Sequence, residues 1–240
     1  DGITSFKYGR LYRRIMRTTG DEWFGMLSGG KVPVGTFRMM CLTLLLCTDL
    51  REAVERGGEF AEICRGLHAR YVLELLGKSC YVKFAQTRDM TDEEFNQLQS
   101  NTDPNHILMS LIAGHRLQCW LVGRDIPVEK ITLSFERDQT VEDPQAFCGQ
   151  VEYGQPANGI VYDAKYLEYP VVQNQETLME FLRTSPYHLV TVDTAQMSLT
   201  DKVHAIINRD VSRSMPSAEI VADQLHMSVT TLRRRLMQEG

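Results

Sequence analysis

This chain is short of the features that announce chemistry. It has six cysteines and six histidines in 240 residues, and none of the cysteines forms a Cys-x-x-Cys pair. Zinc sites need clustered sulfur and imidazole ligands, so a structural metal has no starting point. Cys41, Cys47, Cys80 and Cys119 sit among apolar neighbours, as buried free thiols in a reducing compartment do. The longest apolar run, Met39 to Cys47, is broken by Thr43 and is far shorter than the about 20 residues that span a bilayer. There is no signal-peptide pattern. Gly-x-Ser-x-Gly, His-Glu-x-x-His and Gly-x-Gly-x-x-Gly are all absent, which removes the usual entry points to hydrolase, zinc-protease and dinucleotide readings. Gly25-Met-Leu-Ser-Gly-Gly30-Lys31 imitates a phosphate-binding loop, but Val32 replaces the metal-binding hydroxyl and Pro33 blocks the helix that should follow. It reads as a glycine-rich turn between helices.

What is present is an ordinary globular composition, with 43% hydrophobic and 24% charged residues and a net charge of −5. The acidity is uneven. Residues 1–199 hold 20 basic and 26 acidic side chains, whereas residues 200–240 hold 6 and 5. An acidic first part does not exclude nucleic acid for the second, because affinity follows local phosphate contacts.

The first 70 residues are predicted to be mostly helical. Tyr8 to Thr19 is amphipathic, and Gly35 to Cys47 reads as an apolar helix central to the core. Asp49-Leu-Arg-Glu52 opens a helix ending at Gly57-Gly58, and another follows through Phe60, Ile63 and Leu67. Tyr71–Leu76 and Cys80–Ala85 flank Gly77-Lys78-Ser79 as an antiparallel hairpin. Pro104 to Val122 is a long helix carrying His115 on its apolar stripe, where a satisfied core histidine is expected. Ile131, Leu133 and Phe135 alternate with polar residues as a strand with one wet face, and Gly159 to Asp163 is another strand. Asn174 to Arg183 is a helix, with Pro186 to Ser198 as a connector. Carboxylates such as Asp92-Glu93-Glu94 read as solvated or capping. The predicted fold class is α+β, with helices packed on a mainly antiparallel sheet, followed by a small all-α helix-turn-helix subdomain.

That subdomain rests on three short helices. Leu199, Val203, Ile206 and Ile207 keep a helical period behind Ser198. Ile220, Val221 and Leu225 share a face after Ser217. A turn at His226-Met227 leads to Ser228, which caps a last helix with Leu232 and Leu236 on its buried side and Thr230, Arg233, Arg234 and Met237 outward. A short turn before the last helix is the helix-turn-helix arrangement, whose final helix enters the major groove. Arginine reads guanine there, and hydroxyls such as those of Ser228 and Thr231 suit phosphate oxygens.

Pro216-Ser-Ala-Glu-Ile-Val-Ala-Asp-Gln-Leu-His-Met-Ser-Val-Thr-Thr-Leu-Arg-Arg-Arg-Leu236 resembles the first helix-turn-helix of AraC/XylS-type transcription regulators. The resemblance implies base contacts by Thr230, Arg233 and Arg234 and phosphate contacts by Ser228 or Thr231. Thr18-Thr-Gly-Asp-Glu-Trp-Phe-Gly25, Leu50-Arg-Glu-Ala-Val-Glu-Arg56 with Phe60, and Leu167-Glu-Tyr-Pro-Val-Val172 with Leu178 are similar to the arabinose-binding-like regulatory domain that precedes some of these units. Family members carry two helix-turn-helix units, whereas this sequence opens at Asp1 and stops at Gly240 before the second, so it reads as a fragment trimmed at both ends.

The expected organisation is a regulatory domain over 1–192, a linker over 193–198 and the first helix-turn-helix over 199–240. The expected function is that of a bacterial, cytoplasmic, non-enzymatic DNA-binding regulator, an activator by family habit, with no cofactor. Promoter DNA, a second copy of the chain, RNA polymerase and a small-molecule effector are its implied partners. No residues suggest themselves as an effector pocket; Trp120, Tyr81 and Phe135 either line an apolar cavity or fill the core. Arg10, Arg13, Arg14 and Arg17, at helical spacing, form a solvated face or an anion-binding surface. Two other readings are a small-molecule-binding protein or enzyme whose C-terminal helices only pack, and a regulator that works through protein partners.

Overall fold

Two glycine-free runs around Gly77-Lys78 produce the expected hairpin. Strand β1 (Ala69–Leu76) pairs antiparallel with β2 (Ser79–Gln86), from Ala69 opposite Gln86 to Leu76 opposite Ser79. In the computed structural model, which describes residues 5–137, 150–190, 203, 216–224 and 227–239, three further strands extend this hairpin. They are β3 (Lys130–Thr132), β4 (Val151–Glu152) and β5 (Gly159–Asp163), in the sheet order β1-β2-β5-β3-β4. All neighbours are antiparallel except β3 and β4, which run parallel. The strand expected through Phe135 stops at Thr132, and it lacks the expected wet face there. Thr132 is buried because its hydroxyl donates to Ala157 O (2.9 Å) and meets the Tyr81 hydroxyl (2.7 Å).

Among the described residues, six α-helices accompany the sheet: α1 (Ser5–Thr19), α2 (Thr36–Leu44), α3 (Leu50–Ile63), α4 (Asp92–Asn101), α5 (Pro104–Val122) and α6 (Gln175–Val190). The arrangement is α+β, as expected. Asp49 caps α3 by accepting from Glu52 N (2.9 Å), but α3 does not end at Gly57-Gly58. It runs through both glycines, and the second makes room for the sheet: a Cβ on Gly58 would lie 2.6 Å from Tyr71 O of β1. The missing side chain is used for helix–strand contact rather than for a stop. Helix α6 likewise continues past Arg183 and through Pro186, inside the expected connector, to Val190. Thr91 and Glu94 form a reciprocal capping box for α4, so the acidic run there is a helix start, with Glu94 capping.

The helix at the centre is α5, not α2. Helix α2 buries Thr36, Cys41 and Leu44 but leaves Met39 exposed, with Leu46 exposed just beyond its end. Helix α5 is buried on both flanks. Leu111 joins a core with Leu50, Ile131, Leu133, Tyr162 and Leu167 against the sheet. Leu117 and Leu121 join a second core with Cys41, Leu44, Leu178 and Leu189 among the helices. His115 is buried as expected and donates from Nε2 to Ile126 O (2.9 Å), which satisfies the ring.

Two more helices follow: α7 (Ala218–Gln224) and α8 (Val229–Glu239). Val221, Ala222 and Leu232 form a small core of their own, with Val203, Met227, Val229 and Leu236 packed on it. The expected helix from Leu199 to Ile207 and the linker 193–198 lie outside the described residues, apart from Val203 in a helical conformation. Among the described residues, no helix is long and apolar enough to cross a membrane.

Candidate functional site

A cavity of about 330 Å³ lies between the two large cores. Helices α1, α2, α3, α5 and α6 and the hairpin all contribute to its wall, so no single stretch of sequence describes it. Its aromatic lining comes from Tyr12, Trp23, Phe37, Tyr71 and Phe84. Tyr71 stacks on Phe84 with centroids 4.8 Å apart, and Trp23 meets Phe37 edge-on at 6.1 Å. Leu182 and Leu189 supply the wall from α6, the last described helix before residue 191.

Tyr71 is held by backbone notches. A Cβ on Gly114 of α5 would fall 2.1 Å from the Tyr71 hydroxyl, and Gly58 of α3 gives room to the Tyr71 backbone carbonyl. The hydroxyl donates to Ser110 O (2.6 Å). Ser110 itself is spent on structure: its Oγ accepts from Leu27 N (2.8 Å) and donates to His106 O (2.7 Å). The cavity's acid is equally occupied. Glu22 accepts from Gly35 N (3.0 Å) and Phe37 N (2.8 Å), so it caps α2 from 13 residues upstream. Burial raises its pKa above the ordinary carboxylate value, against the lowering effect of those amide bonds.

Three arginines border the space: Arg13 on α1, Arg38 on α2 and Arg70 on β1. Arg70 is neutralised by Glu62 at 2.9 Å and donates to Gln86 O (3.0 Å). Arg13 donates one N–H to Arg183 O (3.3 Å), whereas Arg38 is exposed and has no ion pair among the described residues. The four-arginine face of α1 therefore divides: Arg10, Arg14 and Arg17 are exposed, and Arg13 turns toward the cavity.

The residues suggested from sequence as cavity lining lie elsewhere. Trp120 stacks on Phe181 at 4.2 Å, Tyr81 donates to Ala157 O (3.0 Å), and Phe135 packs edge-on against Tyr153 at 6.3 Å. Nothing local separates Trp23 and Phe37 from them; the nearest signals were the glycines facing Tyr71. The glycine-rich turn 25–31 does lie between helices, and Lys31 Nζ donates to Thr19 O (3.2 Å).

The second candidate surface is α8. Ser228 Oγ accepts from Thr231 N (3.2 Å) and meets the Thr231 hydroxyl at 2.9 Å, so both hydroxyls mark the helix start. Leu232 is buried at 4% exposure, while Thr230, Arg233, Arg234 and Arg235 are exposed and Thr231 is half-buried. Glu219 of α7 has a carboxyl held below its ordinary value, by the Ser217 hydroxyl first and by the nearby Arg233 charge last.

Comparison with known proteins bears on the region that holds the cavity. The family described as "Arabinose-binding domain of AraC transcription regulator, N-term" matches residues 1–171. No curated protein matches the sequence. Among solved structures, the transcriptional regulator CdpR from Pseudomonas aeruginosa aligns with 14% identity over 100% of this chain and 81% of that one, at a TM-score of 0.39, too distant to carry an argument. The matched region takes in every element from α1 to the strand β5 and most of the cavity wall, and the chain belongs to the AraC family of transcription regulators through this N-terminal domain.

Proposed function

We propose that the protein is a sequence-specific DNA-binding regulator whose cavity receives a small-molecule effector and whose α8 reads the major groove. The observation that carries the DNA reading is the division of α8: Leu232 is buried against α7 while Thr230, Arg233 and Arg234 point outward from a helix capped at Ser228. A capped helix that is basic on its free edge suits base-edge contacts from its arginines and phosphate contacts from Ser228 and Thr231. The chain acts as a homodimer at promoter DNA alongside RNA polymerase, since two linked readers turn weak half-site contacts into one specific site.

The effector acts through α6. Leu182 and Leu189 line the cavity, and the chain continues from α6 toward α7 and α8. A ligand that binds one arrangement of α6 more tightly shifts the population toward that arrangement.

Selection from a random duplex pool, with an Arg233→Ala/Arg234→Ala control, tests the reading. The expected result is an enriched motif that is relaxed at one or two positions in the control, each worth roughly 1–3 kcal/mol. No enrichment by the folded protein at low salt, with or without the cavity ligands named below, overturns it.

A further inference from the structure

We infer that the cavity selects an amphipathic monoanion, a compact apolar body ending in one carboxylate, rather than a sugar. This rests on the cavity being the effector site.

The first argument is the shortage of free polar groups. A sugar presents several hydroxyls, and each one buried without a partner loses its bonds to water. The inner polar groups here are already paired. Ser110 Oγ serves Leu27 N and His106 O, the Tyr71 hydroxyl serves Ser110 O, and the Glu22 carboxylate serves Gly35 N and Phe37 N. What remains for a ligand is the apolar surface of residues such as Met16, Trp23, Met26, Phe37, Met40 and Leu117.

The second argument is charge. Of the three arginines at the cavity, only Arg70 is matched by a carboxylate among the described residues, Glu62, at 2.9 Å. Arg13 keeps most of its guanidinium N–H groups after its one bond to Arg183 O, and Arg38 meets no acid among the described residues. These two reach the cavity from different helices, α1 and α2, so the anion sits where both helices border the space. Glu22 also borders the space, with its Oε2 taken by the α2 amides, but its single negative charge is outnumbered by the two arginines that have no acid partner among the described residues. Guanidinium binds carboxylate through paired N–H groups, which gives the ligand both its charge and its orientation.

The third argument is size. A volume of 330 Å³ is roughly twice that of an apolar cavity of about 150 Å³ that accepts benzene, so it suits a ligand of about a dozen non-hydrogen atoms.

Calorimetric titration of the full chain with decanoate and 4-phenylbutyrate, their neutral counterparts 1-decanol and 4-phenylbutanol, and arabinose provides the test. One acid is expected to bind saturably at one site per chain, at least tenfold tighter than its alcohol. Arg13→Gln/Arg38→Gln is expected to erase that preference while leaving alcohol binding in place. Ala113→Met, which fills the cavity, and Val34→Trp, which loads its half-exposed rim and spares the core, are expected to remove binding of both, with unchanged circular dichroism showing that each variant folds. Equal binding of acid and alcohol, an acid preference that survives the double arginine change, or displacement of the acids by arabinose overturns the proposed chemistry and leaves the cavity as the effector site. Failure of all five compounds to bind, or binding indifferent to both cavity substitutions, overturns the effector site and the inference together.

Discussion

At the scale of single residues, burial decides what titratable and small side chains do. His115 is 5% exposed, and desolvation pushes its pKa down from 6.5 to about 4. The unfolded chain therefore binds the extra proton between those values and the folded chain does not. Stability is complete above pH 6.5 and is lost as the pH falls toward 4, by about 3 kcal/mol at ~1.36 kcal/mol per pH unit. Denaturant titrations of His115→Gln, which keeps a neutral donor for Ile126 O, should show a flatter slope across this window than the natural protein. Gly114→Ala is expected to cost about 1–3 kcal/mol, because the new methyl meets the Tyr71 hydroxyl and the ring must leave its notch. The same variant should show weakened ligand binding, since Tyr71 is part of the cavity wall.

At the scale of elements, capping explains both what was legible in the sequence and what was not. Asp49, Thr91 and Ser228 cap the helices that follow them at a fixed local offset. Two of these starts, at Asp49 and Ser228, were readable from short motifs. The cap of α2 was not, because Glu22 reaches its amides from 13 residues away. Ser228→Ala should cost about 1 kcal/mol of stability in the α7–α8 unit, measurable by its own unfolding transition, and should weaken DNA binding at all sequences alike. Two helix ends were misplaced from sequence. Gly57-Gly58 and Pro186 are ordinary stop signals, yet α3 and α6 run through them, and in α3 the missing Gly58 side chain serves the close approach of Tyr71 O.

At the scale of the whole molecule, the described residues bury their apolar side chains in two large cores and two small ones. The small core of Val221, Ala222 and Leu232 shares no residue with the others. Urea unfolding should therefore show two transitions, the first with the smaller dependence on denaturant, and a chain ending at Val190 should retain only the second. Sequence by itself determined the hairpin around Gly77-Lys78, the long helix from Pro104 to Val122, the capped α8 and the family, because each is written in contiguous residues with a period, a turn or a cap. Only the tertiary structure decided that α5 rather than α2 is central, that Arg13 alone of its face turns inward, and that Trp23, Phe37, Tyr71 and Phe84 converge on one cavity. These facts depend on contacts between residues far apart in the chain, and no local pattern encodes which buried aromatic faces a packed neighbour and which faces open space.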